Sequence, residues 1–146
     1  MSQTPRPIIQ IALDFCRKDI EKFDEISKKH YQQAEIWGNF NLILVIITVF
    51  FSTLSVALIF LDAEPWVQIV SVIAAILTAI SPSVNASGRE VERRELGKKY
   101  EEYISELEIF QITVYSCQND QEILNRVKDL ETRRRKLVNE TSKYRL

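Results

Sequence analysis

Leu42–Leu61 reads LILVIITVFFSTLSVALIFL. Fifteen of these twenty residues are Leu, Ile, Val or Phe, and the only hydroxyls are Thr48, Ser52, Thr53 and Ser55. A helix of that length spans about 30 Å, the thickness of a bilayer's hydrocarbon core. A core helix of a soluble protein shows a polar face, and this one has none. At roughly −0.3 to −0.6 kcal/mol per residue, the fifteen large apolar side chains favour insertion by several kcal/mol. The charge-free run begins at Trp37 and continues to Leu61. It starts too far along, and is too long, for the apolar region of a signal peptide, so no cleaved leader is expected.

A second charge-free run, Pro65 to Gly88, follows at once. It carries Gln68, Ser71, Thr78, Ser81, Pro82, Ser83 and Asn85. Alone it would insert marginally, but as the return leg of a hairpin it is a reasonable span. Asp62-Ala63-Glu64-Pro65 is the turn. Pro65 suits the first turn of the next helix, and both acids suit that helix's positive end. Trp37 and Trp66 fall at opposite ends, where indole rings anchor at membrane surfaces.

Charge gives orientation. All 19 Lys and Arg, and all but two of the 20 Asp and Glu, lie outside the two runs and the turn. Arg17, Lys18, Lys22, Lys28 and Lys29 precede the first run, and Arg89, Arg93, Arg94, Lys98 and Lys99 follow the second. The connecting turn has no cation, so the positive-inside rule puts both termini in the cytoplasm. The expected fold is an all-α membrane protein, a two-transmembrane helical hairpin with N- and C-terminal cytoplasmic helices. Residues 1–36 form the N-terminal helix, 37–88 the hairpin (spans about 40–61 and 65–85), and 89–146 a C-terminal helical hairpin.

The arms follow helical periods. After a lead stopped by Pro5 and Pro7, the residues Leu13, Cys16, Ile20, Phe23, Ser27, His30, Ala34 and Trp37 recur at steps of three and four, one mostly apolar stripe. From Gly88 to about Ser116 a heptad seam runs through Leu96, Tyr100, Tyr103, Leu107, Phe110 and Val114. Asn119 or Asp120 caps a fourth helix, Gln121 to about Ser142, with Ile123, Val127, Leu130, Leu137 and Val138 inward. The Ile20 and Phe23 stripe is expected to meet Tyr100, Tyr103, Leu107 and Phe110. Aromatic seams of this kind also provide water-driven association between subunits, so a homo-oligomer is expected.

Three polar pairs sit symmetrically about Ala63: Asn41 with Asn85, Thr48 with Thr78, Ser55 with Ser71. Within each run they are seven residues apart and share a face. They either pack the hairpin, hydroxyl to hydroxyl, or line an aqueous path in an oligomer. The runs hold no ionisable residue, which argues against a proton relay or ion-coupled transport. Asp62 and Glu64 would form an outer acidic ring in an oligomer.

No catalytic or metal-binding set is evident, and neither an enzyme nor a cofactor is expected. His30 is the only histidine and reads as a structural residue on the inward stripe. Gly38, Gly88 and Gly97 are isolated and make no phosphate loop. Cys16 and Cys117 read as buried reduced thiols. A net charge of −1 points away from direct nucleic-acid binding. The basic run Arg133-Arg134-Arg135-Lys136 points all round its helix, either into solvent or toward acids of another subunit or partner.

Several stretches carry a family likeness: Lys28-Lys29-His30-Tyr31-Gln32-Gln33-Ala34 before the first run, Ser81-Pro82-Ser83-Val84-Asn85 at the exit of the second, then Arg89-Glu90-Val91-Glu92-Arg93-Arg94 and Lys98-Lys99-Tyr100-Glu101-Glu102-Tyr103. Together they resemble the SLATT family of prokaryotic two-transmembrane proteins, over roughly residues 10–115. Many members carry a histidine after the second span, where this chain has Glu95-Leu96-Gly97-Lys98. The resemblance implies an effector of antiviral and conflict systems in the bacterial inner (plasma) membrane. It implies a signalling or sensor partner, such as a nucleotide-generating or nucleotide-sensing protein or a reverse transcriptase. It also implies pore formation or membrane disruption. The alternative is a non-enzymatic accessory membrane subunit whose helical arms dock a partner.

Overall fold

The computed structural model describes residues 7–61 and 64–142. Among them there is no strand. The chain runs through α1 (Pro7–Phe60), α2 (Glu64–Val84), α3 (Ala86–Thr113), a 3-10 turn (Val114–Ser116) and α4 (Asp120–Thr141). Two helical stretches are long and apolar enough to cross a membrane, one in α1 and one starting at Pro65. The lead before Pro7 and Asp62 of the acidic ring lie outside the described residues. So does the side chain of Glu64, whose backbone opens α2.

α1 starts at Pro7, the second of the two prolines that end the lead. A proline at the first helical position lacks only an N–H that would be unpaired there anyway. The helix then continues for 54 residues and closes with the Leu61 N–H on the Leu58 carbonyl at 3.2 Å.

The third helix begins at Ala86, not Gly88, because α2 and α3 are separated by one residue. Asn85 has φ 46°, the left-handed region that asparagine tolerates better than most residues. Its N–H reaches the Ser81 carbonyl at 3.3 Å, and its own carbonyl accepts from the Arg89 N–H at 3.0 Å. Asn85 therefore ends one helix and starts the next. Its side-chain amide folds over Gly88, where a Cβ would come within 2.6 Å. A larger residue at position 88 would have to push that amide aside.

α3 gives way to the 3-10 turn for its last three expected residues, and Cys117 is extended at φ −66°, ψ 130°. Of the two candidate caps of α4, Asn119 is the one used. Its Oδ1 accepts from the Glu122 N–H at 2.8 Å, and the Glu122 carboxylate accepts from the Gln118 N–H at 3.0 Å. The two bonds satisfy donors at the helix start from both sides, much as a capping box does.

The chain divides into two compact units. Gln32–Arg93 form one, and the described residues on either side of that segment form the other. The second is a three-helix bundle. Its core joins Ile9, Ala12, Cys16 and Phe23 of α1, Tyr100, Tyr103, Leu107 and Phe110 of α3, and Ile123, Leu130 and Leu137 of α4. In the first unit the surface is apolar and open. Leu42, Ile43, Ile46, Val49, Phe50, Val56, Ile59 and Phe60 are all exposed on α1, as are Trp66, Ile69, Val72 and Ile76 on α2.

Candidate functional site

The bundle core contains a carboxylate. Asp19 is 6% exposed, three residues after buried Cys16 and four before buried Phe23. An isolated buried carboxylate is costly unless its oxygens are hydrogen-bonded. Here Tyr103 Oη donates to Oδ2 at 3.3 Å, and Arg134 Nη1 reaches Oδ1 and Oδ2 at 3.3 and 3.4 Å. Arg134 also pairs with Glu131 at 3.3 Å and lies over the Phe15 ring at 5.9 Å. The spacing from Cys16 and Phe23 marks Asp19 as inward, although the apolar stripe alone passes over it.

Arg133, Arg135 and Lys136 of the basic run are exposed, in line with the solvated expectation, and all four cations also pair with acids of the same chain. Arg133 pairs with Glu106, Arg134 with Asp19, Arg135 with Glu131 and Lys136 with Glu140. The reason is the reversal of α4 along α3, which brings Glu106 and Asp19 opposite the cations.

The six seam residues come together within one chain. Phe23 stacks on Tyr100 (centroids 5.6 Å, planes 21° apart) and meets Tyr103 edge-on (5.3 Å, 86°). Ile20 packs against the same cluster, which Leu107 and Phe110 complete. Tyr100 Oη and Thr141 Oγ1 share a hydrogen bond of 2.6 Å that ties α3 to the end of α4. His30 is buried, stacked on Tyr100 at 5.6 Å, and the Ser27 hydroxyl donates to the Gly97 carbonyl at 3.2 Å. In this arrangement the seam offers no open surface to a second copy.

Burial, and after it the Asp19 carboxylate, pushes the Cys16 thiol up to about 11. The same two causes hold the Tyr103 hydroxyl well above its usual range. Thiolate is the reactive form of cysteine, so a buried thiol with a raised pKa is inert. Maleimide at pH 8 is expected to leave Cys16 unmodified in the folded protein and to label it after denaturation. Intact-protein and peptide mass spectrometry would show this. Rapid native labelling at Cys16 would mean that the N-terminal part of α1 opens readily.

In the other unit the three polar pairs behave differently from one another. Ser55 and Ser71 bond directly, Oγ to Oγ, at 2.6 Å. Thr48 and Thr78 do not bond to each other. Each donates to a carbonyl of its own helix, Leu44 at 2.8 Å and Ala74 at 2.9 Å. The two threonines instead line an open groove of about 300 Å³ with Val45, Val49, Ser81 and Pro82. Pro82 brings no N–H to the Thr78 carbonyl, so this turn of α2 is locally polar. Asn41 is half-buried on α1, while Asn85 is exposed and occupied by the α2–α3 junction. Nearby, the Arg89 guanidinium covers the Trp37 ring at 4.7 Å.

Among the described residues, no group of three or more His, Cys, Asp or Glu is placed to hold a metal. Compared with protein-family models, curated proteins and solved structures, the chain matches none.

Proposed function

We propose that the chain is a membrane effector of prokaryotic antiviral or conflict systems. It sits in the bacterial inner membrane as a two-helix hairpin with both termini in the cytoplasm. It acts as an oligomer that forms a pore or disrupts the bilayer when a partner protein signals. The observation that carries the membrane part is the contrast between the two units. One gathers most of its large apolar side chains into a buried core, while the other leaves most of its Ile, Leu, Val and Phe exposed along two long helical stretches. An apolar surface so extended is unusual on a water-soluble monomer and suits lipid. The distribution of Lys and Arg supports the orientation. The resemblance of the juxtamembrane stretches to SLATT proteins supports the effector role.

Two helices enclose no lumen, so conduction needs several subunits. The groove into which Thr48, Thr78 and Ser81 bring hydroxyls is the wall such an assembly would present to water, with Asp62 and Glu64 ringing the outer mouth and favouring cations. Topology is tested with one reporter after Leu146 and another inserted at Ala63. They should label from opposite sides, and a shared compartment would end the hairpin reading. Mechanism is tested by leakage from vesicles or cells in the presence of the partner. Thr48→Leu with Thr78→Leu should abolish leakage and leave assembly intact. If the double change weakens assembly as well, these residues pack the hairpin instead.

One observation favours the accessory-subunit reading. Ile109 and Ile112 of α3 and Tyr115 of the 3-10 turn after it are each exposed, in the charged unit, and exposed apolar side chains of this kind suit a protein partner. A stable complex without permeabilisation would support that reading over the effector.

A further inference from the structure

Arg126, Arg133, Arg134 and Arg135 each rest a guanidinium on a carboxylate of the same chain. Arg89 is held differently. Its guanidinium lies over the Trp37 ring, 4.7 Å from the centroid, and the side chain is exposed. An indole face attracts a cation but offers it no oxygen acceptor. Among the described residues, no carboxylate, hydroxyl or carbonyl accepts from the Arg89 side chain. The carboxylate of its sequence neighbour Glu90 is turned onto Gly38 instead, where a Cβ would come within 3.0 Å of it. Arginine carries its N–H donors in a planar fork, and here the ring holds the fork while the donors stay available.

The place of this pair along the chain identifies the acceptor. Trp37 opens the first charge-free run, and Arg89 is the first charged residue after the second. Both therefore stand where the exposed apolar surface of their unit ends. Trp37 is five residues before Leu42, about 7.5 Å along the helix. Lipid phosphates lie in the layer about 5–7 Å deep outside the hydrocarbon core. The two depths agree, and the guanidinium fork matches phosphate oxygens two at a time. We infer that Arg89, held on Trp37, binds the phosphate of an anionic phospholipid headgroup in the inner leaflet. This rests on the membrane reading above. A zwitterionic lipid fits less well, because its own ammonium competes for the phosphate and leaves no net charge to attract the cation.

Two helices build the pair. Arg89 stands in the first turn of α3, its N–H bonded to the Asn85 carbonyl at 3.0 Å, and Trp37 of α1 is braced edge-on by Phe40 at 6.1 Å. Neither residue belongs to the core of the three-helix bundle. A cation over an indole also steadies two helices without any lipid. Dependence on the lipid is what separates the two roles.

The test uses the full chain in detergent with Trp66→Phe, which leaves Trp37 as the single tryptophan. Dioctanoyl-phosphatidylglycerol is titrated in while Trp37 fluorescence is followed. The emission is expected to change saturably. In Arg89→Gln half-saturation should need roughly tenfold to a hundredfold more lipid, the usual effect of losing hydrogen bonds to a charged group. Arg89→Lys keeps the charge but loses the fork, and should fall between the two. Dioctanoyl-phosphatidylcholine should bind roughly fivefold more weakly, the effect of one cation near an anionic surface. Inorganic phosphate should give no response. An unchanged half-saturation in Arg89→Gln, or in Arg89→Lys should the first variant fail to fold, overturns the site. So does an equal response to phosphatidylcholine, and a saturable response to inorganic phosphate replaces the lipid with a soluble anion. Carbonate extraction of membranes from expressing cells keeps the two readings apart. A wild type retained in the membrane but without a phosphatidylglycerol response sinks the lipid site alone. A wild type released by carbonate sinks the membrane reading and the site with it.

Discussion

Replacing Phe23 with alanine is expected to remove about 3–5 kcal/mol from the three-helix unit, the usual range for deleting a fully buried aromatic ring. Phe23 is 1% exposed and stands between two rings, stacked on Tyr100 and edge-on to Tyr103. The lost ring contacts add to the transfer term, because offset and edge-to-face pairs contribute about 0.5–1.5 kcal/mol beyond area. The cavity would open beside Asp19, so water would also reach the carboxylate and its two donors. Against a total of about 5–15 kcal/mol for a typical domain, the change is a large fraction. Thermal unfolding of the solubilised protein, followed by near-ultraviolet circular dichroism, should show an early transition. Ile11→Ala is the control. Ile11 is on the same helix but 69% exposed, and its loss should stay within about 0.5 kcal/mol. Equal behaviour of the two variants would mean that the bundle does not form as described.

The second large effect has opposite signs in the two environments that α1 can be given. Phe50 lies in the middle of the charge-free run and is 60% exposed. In lipid, Phe50→Lys places an ammonium near the bilayer centre and is expected to disfavour insertion by about 2.5–3.5 kcal/mol, with a smaller loss from the missing phenyl ring. Were the segment in water, the same substitution would relieve an exposed apolar surface and improve solubility. Fractionation of cells expressing each form, with carbonate extraction of the membranes, separates the two. The proposed placement requires a clear fall in the membrane-inserted fraction. An unchanged or better-behaved protein would contradict it.

The long helices were readable in the sequence because their signals are repetitive. The two charge-free runs need no partner to be recognised, and the row Leu96, Tyr100, Tyr103, Leu107, Phe110 and Val114 is a period that survives individual exceptions. All six of those side chains are buried. Features set by a single residue were not readable. The break between α2 and α3 depends on one left-handed asparagine beside one glycine, and no periodicity reports it. The Arg133–Lys136 run was ambiguous for a different reason. Four consecutive cations face every direction, and their partners depend on how α4 reverses against α3, which pairs positions more than a hundred residues apart for Arg134 and Asp19. Among the matched polar pairs, symmetry about Ala63 identified positions on equivalent turns but not their bonding. A short serine reaches its opposite number, whereas threonine has a carbonyl of its own helix closer at hand.

The buried carboxylate has a consequence for alignment. Aromatic and aliphatic heptads are nearly self-similar, so α1 could slide by seven residues along α3 and still bury apolar area. Asp19 forbids the slide. One heptad in either direction along α3 replaces Tyr103 with Leu96 or Phe110, neither of which has a hydroxyl to offer. One heptad along α4 replaces Arg134 with Val127 or Thr141. Every shifted alignment leaves the charge among groups unable to neutralise it, and a single polar residue in an apolar seam is known to select register in this way. Asp19 thus acts as an index mark on an otherwise repetitive scale. It weakens the core slightly compared with an apolar residue and in return leaves one setting in which all three helices agree.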